Sequence, residues 1–492
     1  PQGCTDAYAQ CIAGAGPSRV AEPEYCGQGL PESFGSVLKE MIDSANLSWG
    51  TYPLLSHGAT ESLRQVGSEW QREVFLKPIV DGSWTGTMCL TEPHCGTDLG
   101  LLKTKAEPAA DGTYNVTGTK IFITAGEHDF TDNIIHLVLA RLPDAPAGTR
   151  GISLFIVPKL KVDQAGKTTE RNAVSCGSIE HKMGIRGSAT CVMNFDGAQG
   201  YLIGAPNKGL NAMFLMMNTA RIAVGLQGLA LIERAYQNSL AYARDRLQMR
   251  SLSGAKRPDK PADPIIVHPD IRRLLLTQKA FAEGGRVLAY YAYLQADIVA
   301  KSADEAERKR ADELLGFLTP IVKAMLTEAA IECTNHALQV FGGHGYVKEW
   351  GMEQFVRDAR ITTIYEGTTQ IQALDLLGRK IMGLQAAGLR HFLGEVGAFC
   401  QAQSGNAALA EFVAPLARLA QEWEQLTREV GEAAMKDPEQ VGAAAVDYLY
   451  YSGYVTLAYF WAREIAALGP AHGEDFRASK LATARFWYQR IV

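Results

Sequence analysis

What most limits the fold of this chain is a double change in its hydrophobic rhythm. Residues 1 to about 84 open on a Gly/Pro-rich stretch reaching Pro31, then place Phe34, Val37, Leu38 and Met41 at helical spacing. From Thr85 to about Gly204 the pattern shortens to β-branched and aromatic runs at 113–116, 120–124, 134–140, 152–157 and 191–195. Asp111-Gly112 and Asp196-Gly197 adjoin such runs and predict turns. Beyond Pro206 the helical rhythm returns. Leu210, Met213, Phe214, Met217 and Ile222 stripe a helix within 207–249, a Pro/Lys-rich loop spans 253–264, and a second helix starts near Pro269. A third covers 306–341 and is stopped by Gly342-Gly343; further helices follow at 411–430 and 440–468. The reading is four regions: helical (1–84), antiparallel β (85–205), a helical bundle (206–390) and a helical extension (391–492).

Composition narrows what such a chain can do. With 48 basic and 53 acidic side chains the net charge is −5, which supplies no field for a generic nucleic-acid surface. No run of eighteen apolar residues occurs, and Asn218 and Arg221 interrupt the nearest approach, 213–231, so no membrane span is expected. Nine cysteines, an odd number without a CxxC pair, read as free thiols in a reducing compartment. The chain opens on Pro1-Gln2-Gly3, without Met or a signal peptide, so the expectation is a processed or missing N-terminal segment. A cytoplasmic location is expected, with the mitochondrial matrix left open.

Five segments have residues suited to chemistry. Thr91-Glu92-Pro93-His94-Cys95-Gly96-Thr97-Asp98 follows a strand-like run; its amides and hydroxyls suit a phosphate or a flavin edge, or simply form a turn. In Lys120-Ile121-Phe122-Ile123-Thr124, Phe122 and Thr124 share a strand face, as a planar ring would require and as a half-buried strand would also show. Residues 361–372 read as an extended apolar stretch delivering Tyr365 and Glu366, a sharp turn at Gly367, and a helix opened by a Thr369/Gln372 capping box. A carboxylate in such company is desolvated and becomes a competent base near neutral pH, although capping or an ion pair also explains it. In Gln339-Val340-Phe341-Gly342-Gly343-His344-Gly345 the glycines admit a pyrophosphate or cap a helix, and His344 lacks a second ligand at metal spacing. Arg244-Asp245-Arg246-Leu247-Gln248 ends the first long helix.

Taken together, TEPHCGTD, KIFIT, YARDRLQ, QVFGGHGY and IYEGTTQIQ occur in one order and spacing, and the chain thereby resembles the acyl-CoA dehydrogenase family. The resemblance runs from Glu24-Tyr25-Cys26-Gly27-Gln28-Gly29-Leu30-Pro31 to about Lys380, and the helical continuation to Val492 is similar to the larger members. It implies an N-terminal helical domain (here incomplete), a middle β domain and a C-terminal four-helix bundle plus extension. It implies FAD, with the backbone of Leu90 and Thr91 at the flavin ring, Thr97 at the pyrophosphate, and Phe122 and Thr124 flanking the isoalloxazine. Arg246, Gln248, Gln339 and Gly343 would meet the pyrophosphate and adenosine from a partner subunit, and Thr368 and Gln370 would lie near FAD. Glu366 matches the catalytic base, Tyr365 and Gly367 the thioester site, and Asn218 and Arg221 the CoA arm.

The implied activity is α,β-dehydrogenation of an acyl-CoA, with an electron-transfer flavoprotein as acceptor and a homodimer or dimer of dimers as the assembly. No metal is called for. Phe122 replaces a common Trp, Met249-Arg250 a usual Phe-Gly, and Asn218 a frequent Asp. Thr91-Glu92-Pro93 and Gly367-Thr368-Thr369-Gln370 favour a dehydrogenase over an acyl-CoA oxidase, and the acidic balance argues against a DNA-associated flavoprotein on the same fold. A medium- to long-chain fatty acyl-CoA is the expected substrate, with 3-methylthiopropionyl-CoA as its rival.

Overall fold

Side-chain alternation decides how the β region closes. The computed structural model describes residues 2–14, 16 and 18–492, the side chains of residues 2, 4, 215 and 218 excepted. Its strands are β1 (Trp84–Cys89), β2 (Lys105–Pro108), β3 (Tyr114–Thr124), β4 (Asn133–Arg141), β5 (Ile152–Pro158), β6 (Leu160–Val162), β7 (Thr168–Arg171), β8 (Val174–Ile179) and β9 (Thr190–Ile203). The main sheet runs β1-β4-β2-β3-β9-β5, and β4 also pairs with β5, which closes it into a barrel. Along β4 and β5, Ile135, Leu137, Leu139, Ile152, Leu154 and Ile156 join Leu55, Leu63, Phe75 and Met213 in one core. The alternate residues Val138, Ala140, Phe155 and Val157 fill the other with Val116, Met193 and Phe195. Both faces are buried, so these strands are mainly apolar, with Asn133, His136 and Ser153 as buried polar exceptions.

The sheet is mostly antiparallel, as expected, with β4 parallel to β1 and to β2. Two other expectations are corrected here. The runs at 113–116 and 120–124 belong to the single strand β3. Asp196-Gly197 is no hairpin turn: Gly197 (φ 73°) is the extra residue of a bulge within β9, opposite Val116 and Thr117.

The chain divides into two units, one of Pro1–Gly35 and Asn46–Ala220, the other of Ser36–Ala45 and Arg221–Val492. The first holds helix α1 (Gln2–Ala13) and the barrel; the dividing points fall inside α2 (Glu32–Val66) and α3 (Gly209–Asp245). The second unit continues with α4 (Pro269–Lys301), α5 (Glu305–Phe341), α6 (Met352–Thr362), α7 (Thr369–Leu374), α8 (Ala387–Ala402), α9 (Ala410–Lys436), α10 (Glu439–Ala466) and α11 (Glu474–Phe486).

Helices α3 and α5 approach closely through small residues: a Cβ on Gly228 would lie 2.6 Å from the Leu326 carbonyl oxygen, and one on Gly225 2.8 Å from that of Val322. In the extension, α10 packs on α4, α5 and α7. Its aromatic residues merge with the bundle: Phe317, Phe392 and Trp423 form a triangle with centroids about 6 Å apart. Helices α3 and α5 are long and apolar enough to cross a membrane, contrary to the count of uninterrupted apolar residues. However, 88% and 78% of their most apolar windows are buried inside the protein, which marks core helices.

Candidate active site

The segment around Glu366 is not extended, as its apolar composition suggested. Helix α6 continues to Thr362, and the chain then turns through Glu366 (φ 55°) and Gly367 (φ 91°), two successive left-handed residues. Only the glycine adopts this freely; at Glu366 it costs about 1–2 kcal/mol. Side chains from the surrounding helices hold the turn. Gln372 Nε2 donates to the Glu366 carbonyl (3.0 Å), and Lys323 Nζ donates to the Gly367 carbonyl (2.7 Å). Thr368, rather than the expected Thr369, caps α7 by accepting from the Ile371 amide, which frees Gln372 to reach back. The Thr369 hydroxyl instead donates to Glu328, and the Tyr365 hydroxyl donates to Gln227. Gln370 is exposed on the first turn of α7.

Among the described residues the amides of Glu366 and Gly367 have no acceptor. Burial raises the pKa of the half-buried Glu366 above the ordinary carboxylate value, against the pull of Arg221 and Lys323. Arg221, taken from the resemblance as a CoA contact, is 6% exposed and pairs with Asp375 (3.3 Å). The side chain of Asn218 lies outside the described residues. Lys323 and Asp375 were missed, and Gln372 was read only as a capping residue. Lys323 had a signal, a lone cation in an apolar helical stripe between Leu318 and Leu326, whereas the other two are placed only by folding.

Elsewhere in the same unit, Tyr242, Arg246, Gln248, Val340, Gly342 and Gly343 line a cavity of about 410 Å³. It brings together Arg246, Gln248 and Gly343, as expected; Gln339 is exposed at the end of α5 outside the lining. Helix α3 stops at Asp245, so Arg246 and Gln248 leave as extended chain, the Gln248 amide bonded to the Asp263 carbonyl (2.9 Å). Among the described residues Arg246 has no carboxylate partner, and a Cβ on Gly342 or Gly343 would meet nothing within 4 Å. An unpaired guanidinium beside bare glycine backbone fits a diphosphate. His344 is structural: its Nδ1 bonds the Tyr242 hydroxyl (2.9 Å), and its ring stacks on Trp350.

In the first unit, Glu92 is buried and accepts from Lys120 Nζ (2.9 Å), the Thr104 hydroxyl (2.6 Å) and the Lys103 and Thr104 amides. These donors bring its pKa down to about 2, while burial lowers that of the enclosed Lys120. Lys120 also donates to the Leu90 carbonyl (2.9 Å), and the Ile121 amide to that of Thr91 (2.9 Å), so the ion pair fixes the Leu90-Thr91 backbone. The Thr91 amide has no acceptor among the described residues. Glu92, His94 and Cys95 bring metal-ligand atoms within 4.8 Å of one another, but Glu92 is already committed to these donors. Thr97 is exposed and Thr124 half-buried. Phe122 (φ 58°) lies in a bulge of β3 and is 60% exposed, so simple alternation with Thr124 fails. A free amide beside an uncovered aromatic fits a planar ring.

The architecture is thus helices and a β barrel followed by a helical bundle, with a carboxylate in a strained turn. Family models match it in order: "Acyl-CoA dehydrogenase, middle domain" at 87–198, "Acyl-CoA dehydrogenase, C-terminal domain" at 207–382, and "Acetyl-CoA dehydrogenase C-terminal like" at 392–492. The chain is 44% identical to 3-methylmercaptopropionyl-CoA dehydrogenase of Ruegeria pomeroyi, over all of this chain and 84% of that protein. It is 36% identical to the broad-specificity linear acyl-CoA dehydrogenase FadE5 of Mycobacterium tuberculosis, over 95% of this chain and 79% of that one. A solved acyl-CoA dehydrogenase from Bacillus anthracis, complexed with FAD, shares the fold with a TM-score of 0.79 at 20% identity, covering 99% of this chain and 80% of that one. The chain belongs to the acyl-CoA dehydrogenase family, and its activity is of that class.

Proposed function

We propose that this enzyme carries out FAD-dependent α,β-dehydrogenation of 3-methylthiopropionyl-CoA, with Glu366 as the base. The observation that carries the chemistry is the Glu366 turn: a desolvated carboxylate and a free amide on the same residue. An α-C–H is too weak an acid for a bare carboxylate, so the thioester carbonyl must be polarised. The Glu366 amide is a ready donor for that carbonyl, and losing one such donor typically costs about 10²–10³ in rate. Glu366 takes the α-proton, and raising its pKa by burial makes it a stronger base once ionised. Bound FAD supplies the acceptor for the hydride leaving the β-carbon, so a saturated thioester becomes the trans-2-enoyl product. Leu90, Thr91, Thr97, Phe122 and Thr124 would hold the flavin side, and Arg246, Gln248 and Gly343 the diphosphate and adenosine side of the FAD held by a partner subunit. The electrons then pass to an electron-transfer flavoprotein.

For the substrate, 44% identity to the Ruegeria enzyme across the whole chain favours the thioether acyl group over medium- or long-chain fatty acyl groups. The 36% identity to FadE5 supports a linear fatty acyl-CoA as the second reading. Dye-linked turnover with 3-methylthiopropionyl-CoA and straight-chain acyl-CoAs separates them: a kcat/KM highest for the thioether upholds the proposal, and a preference for long chains overturns it. Glu366→Gln is expected to keep its yellow colour and bind acyl-CoA but to lose turnover by at least about 10³-fold. Near-normal turnover in that variant removes Glu366 as the base.

A further inference from the structure

We propose that Lys323 is a positioning residue for Glu366: from inside α5 it anchors the Gly367 carbonyl, fixes the left-handed turn and keeps a cation beside the carboxylate. The role rests on the reading of Glu366 as the base. Lys323 is completely buried, with Val322, Ala324, Met325 and Leu326 around it in sequence equally enclosed. A methionine would fill such a place without desolvating an ammonium group, so folding alone gives no reason for a lysine. Its ammonium group donates to the Gly367 carbonyl at 2.7 Å.

The geometry gives this bond its consequence. A trans peptide is rigid, so pinning its C=O pins the whole plane. Gln372 restrains the plane after Glu366 and Lys323 the plane after Gly367, which together hold Gly367 between two anchored peptide planes. The Glu366 side chain is thereby aimed from a backbone that would otherwise relax out of its strained conformation. The charges facing the pair are few: Arg221 from α3, Glu328 one turn further along α5, and Asp375 just past α7, which is paired with Arg221. Burial pushes the Lys323 ammonium down to about 8, while Glu366 and Glu328 resist that fall. Around neutral pH it is therefore mainly charged, and it favours the ionised form of Glu366.

The experiment is anaerobic flavin reduction and steady-state turnover across pH, in the FAD-loaded enzyme and in Lys323→Met and Lys323→Gln. Lys323→Met removes donor and charge; kcat is expected to fall about 10- to 100-fold with KM changed less than about threefold. Its acid limb should move up by about one pH unit, because the carboxylate has lost a neighbouring cation. Lys323→Gln keeps a donor without the charge, so kcat should recover in part while the limb stays displaced. Wild-type kcat and an unmoved limb in both variants overturn the role, as does a fall in kcat with the limb unmoved, which a merely structural lysine gives. Where Lys323→Met does not fold, the limb of Lys323→Gln decides by the same criterion. If acyl-CoA fails to reduce the flavin of the unmodified enzyme, the function itself falls and this role with it. Reduction there with unaltered variants overturns the lysine alone.

Discussion

Two buried lysines, Lys120 and Lys323, each donate to a backbone carbonyl next to a segment suited to ligand binding. They differ in what balances them. Lys120 is paired with Glu92, so Glu92→Gln strands an enclosed ammonium and is expected to cost about 3–5 kcal/mol in urea unfolding. A cost below about 1 kcal/mol would show that the pair contributes nothing beyond a neutral hydrogen bond. The carboxyl of Glu92 titrates near 2 when folded, against 4.5 ordinarily. Its stabilising contribution is therefore complete above about pH 4.5 and is lost as the pH falls toward 2. Glu92→Gln should flatten that part of the stability profile, measured by unfolding at stepped pH. Glu366 was legible as a candidate base only through IYEGTTQIQ taken with the other four motifs, since its neighbours alone fit a cap or an ion pair as well. Lys323 was not, since it lies 43 residues away (366 − 323) and meets the turn only after α5 and α7 have packed.

Among the elements, the long helices α3, α4, α5, α9 and α10 were read in place and approximately in extent, because their apolar spacing repeats over many turns, whereas α1, inside the stretch read as a Gly/Pro-rich entry, and α6, α8 and α11 were not read. The third predicted helix ended at Phe341 before Gly342, and the structure places it at Glu305–Phe341 with Gly342 (φ 59°) as its stop. Short elements fared worse. Local composition does not distinguish a turn from a bulge, so Asp196-Gly197 reads as a turn although it lies inside β9. The cap of α7, expected at Thr369, falls one residue earlier at Thr368, a shift that local composition does not specify. Close packing between helices was equally hidden: the glycines of α3 gave no sign that they face the backbone of α5. Gly228→Ala should destabilise the protein by about 1–3 kcal/mol, since its new methyl would sit 2.6 Å from a backbone oxygen that cannot give way. Thermal denaturation checks this, and an unchanged midpoint would mean that the helices move apart freely.

Over the whole molecule, the extension at 392–492 shares a core with the bundle. Trp423, Trp461 and Trp487 are fully buried, and Trp487 meets Phe281 of α4 edge to face at 5.2 Å. Tryptophan fluorescence and far-UV circular dichroism of a variant keeping only those three of the seven tryptophans should therefore report a single coincident transition for bundle and extension. An earlier fluorescence transition would mean that the extension folds on its own. The net charge of −5, nearly neutral for this length, conceals cations with separate tasks: Lys120 and Lys323 within cores, Arg221 paired with Asp375, and Arg246 unpaired beside a cavity. By itself the sequence determined the order of helical and β regions and, through five motifs in one order, the expectation of Glu366 as the base, because periodicity and motif spacing are properties of the chain itself. Only the tertiary structure decided the barrel closure through β4 and β5, the left-handed turn at Glu366, and the lysine that holds it. Those depend on contacts between distant segments, whose partners no local pattern specifies.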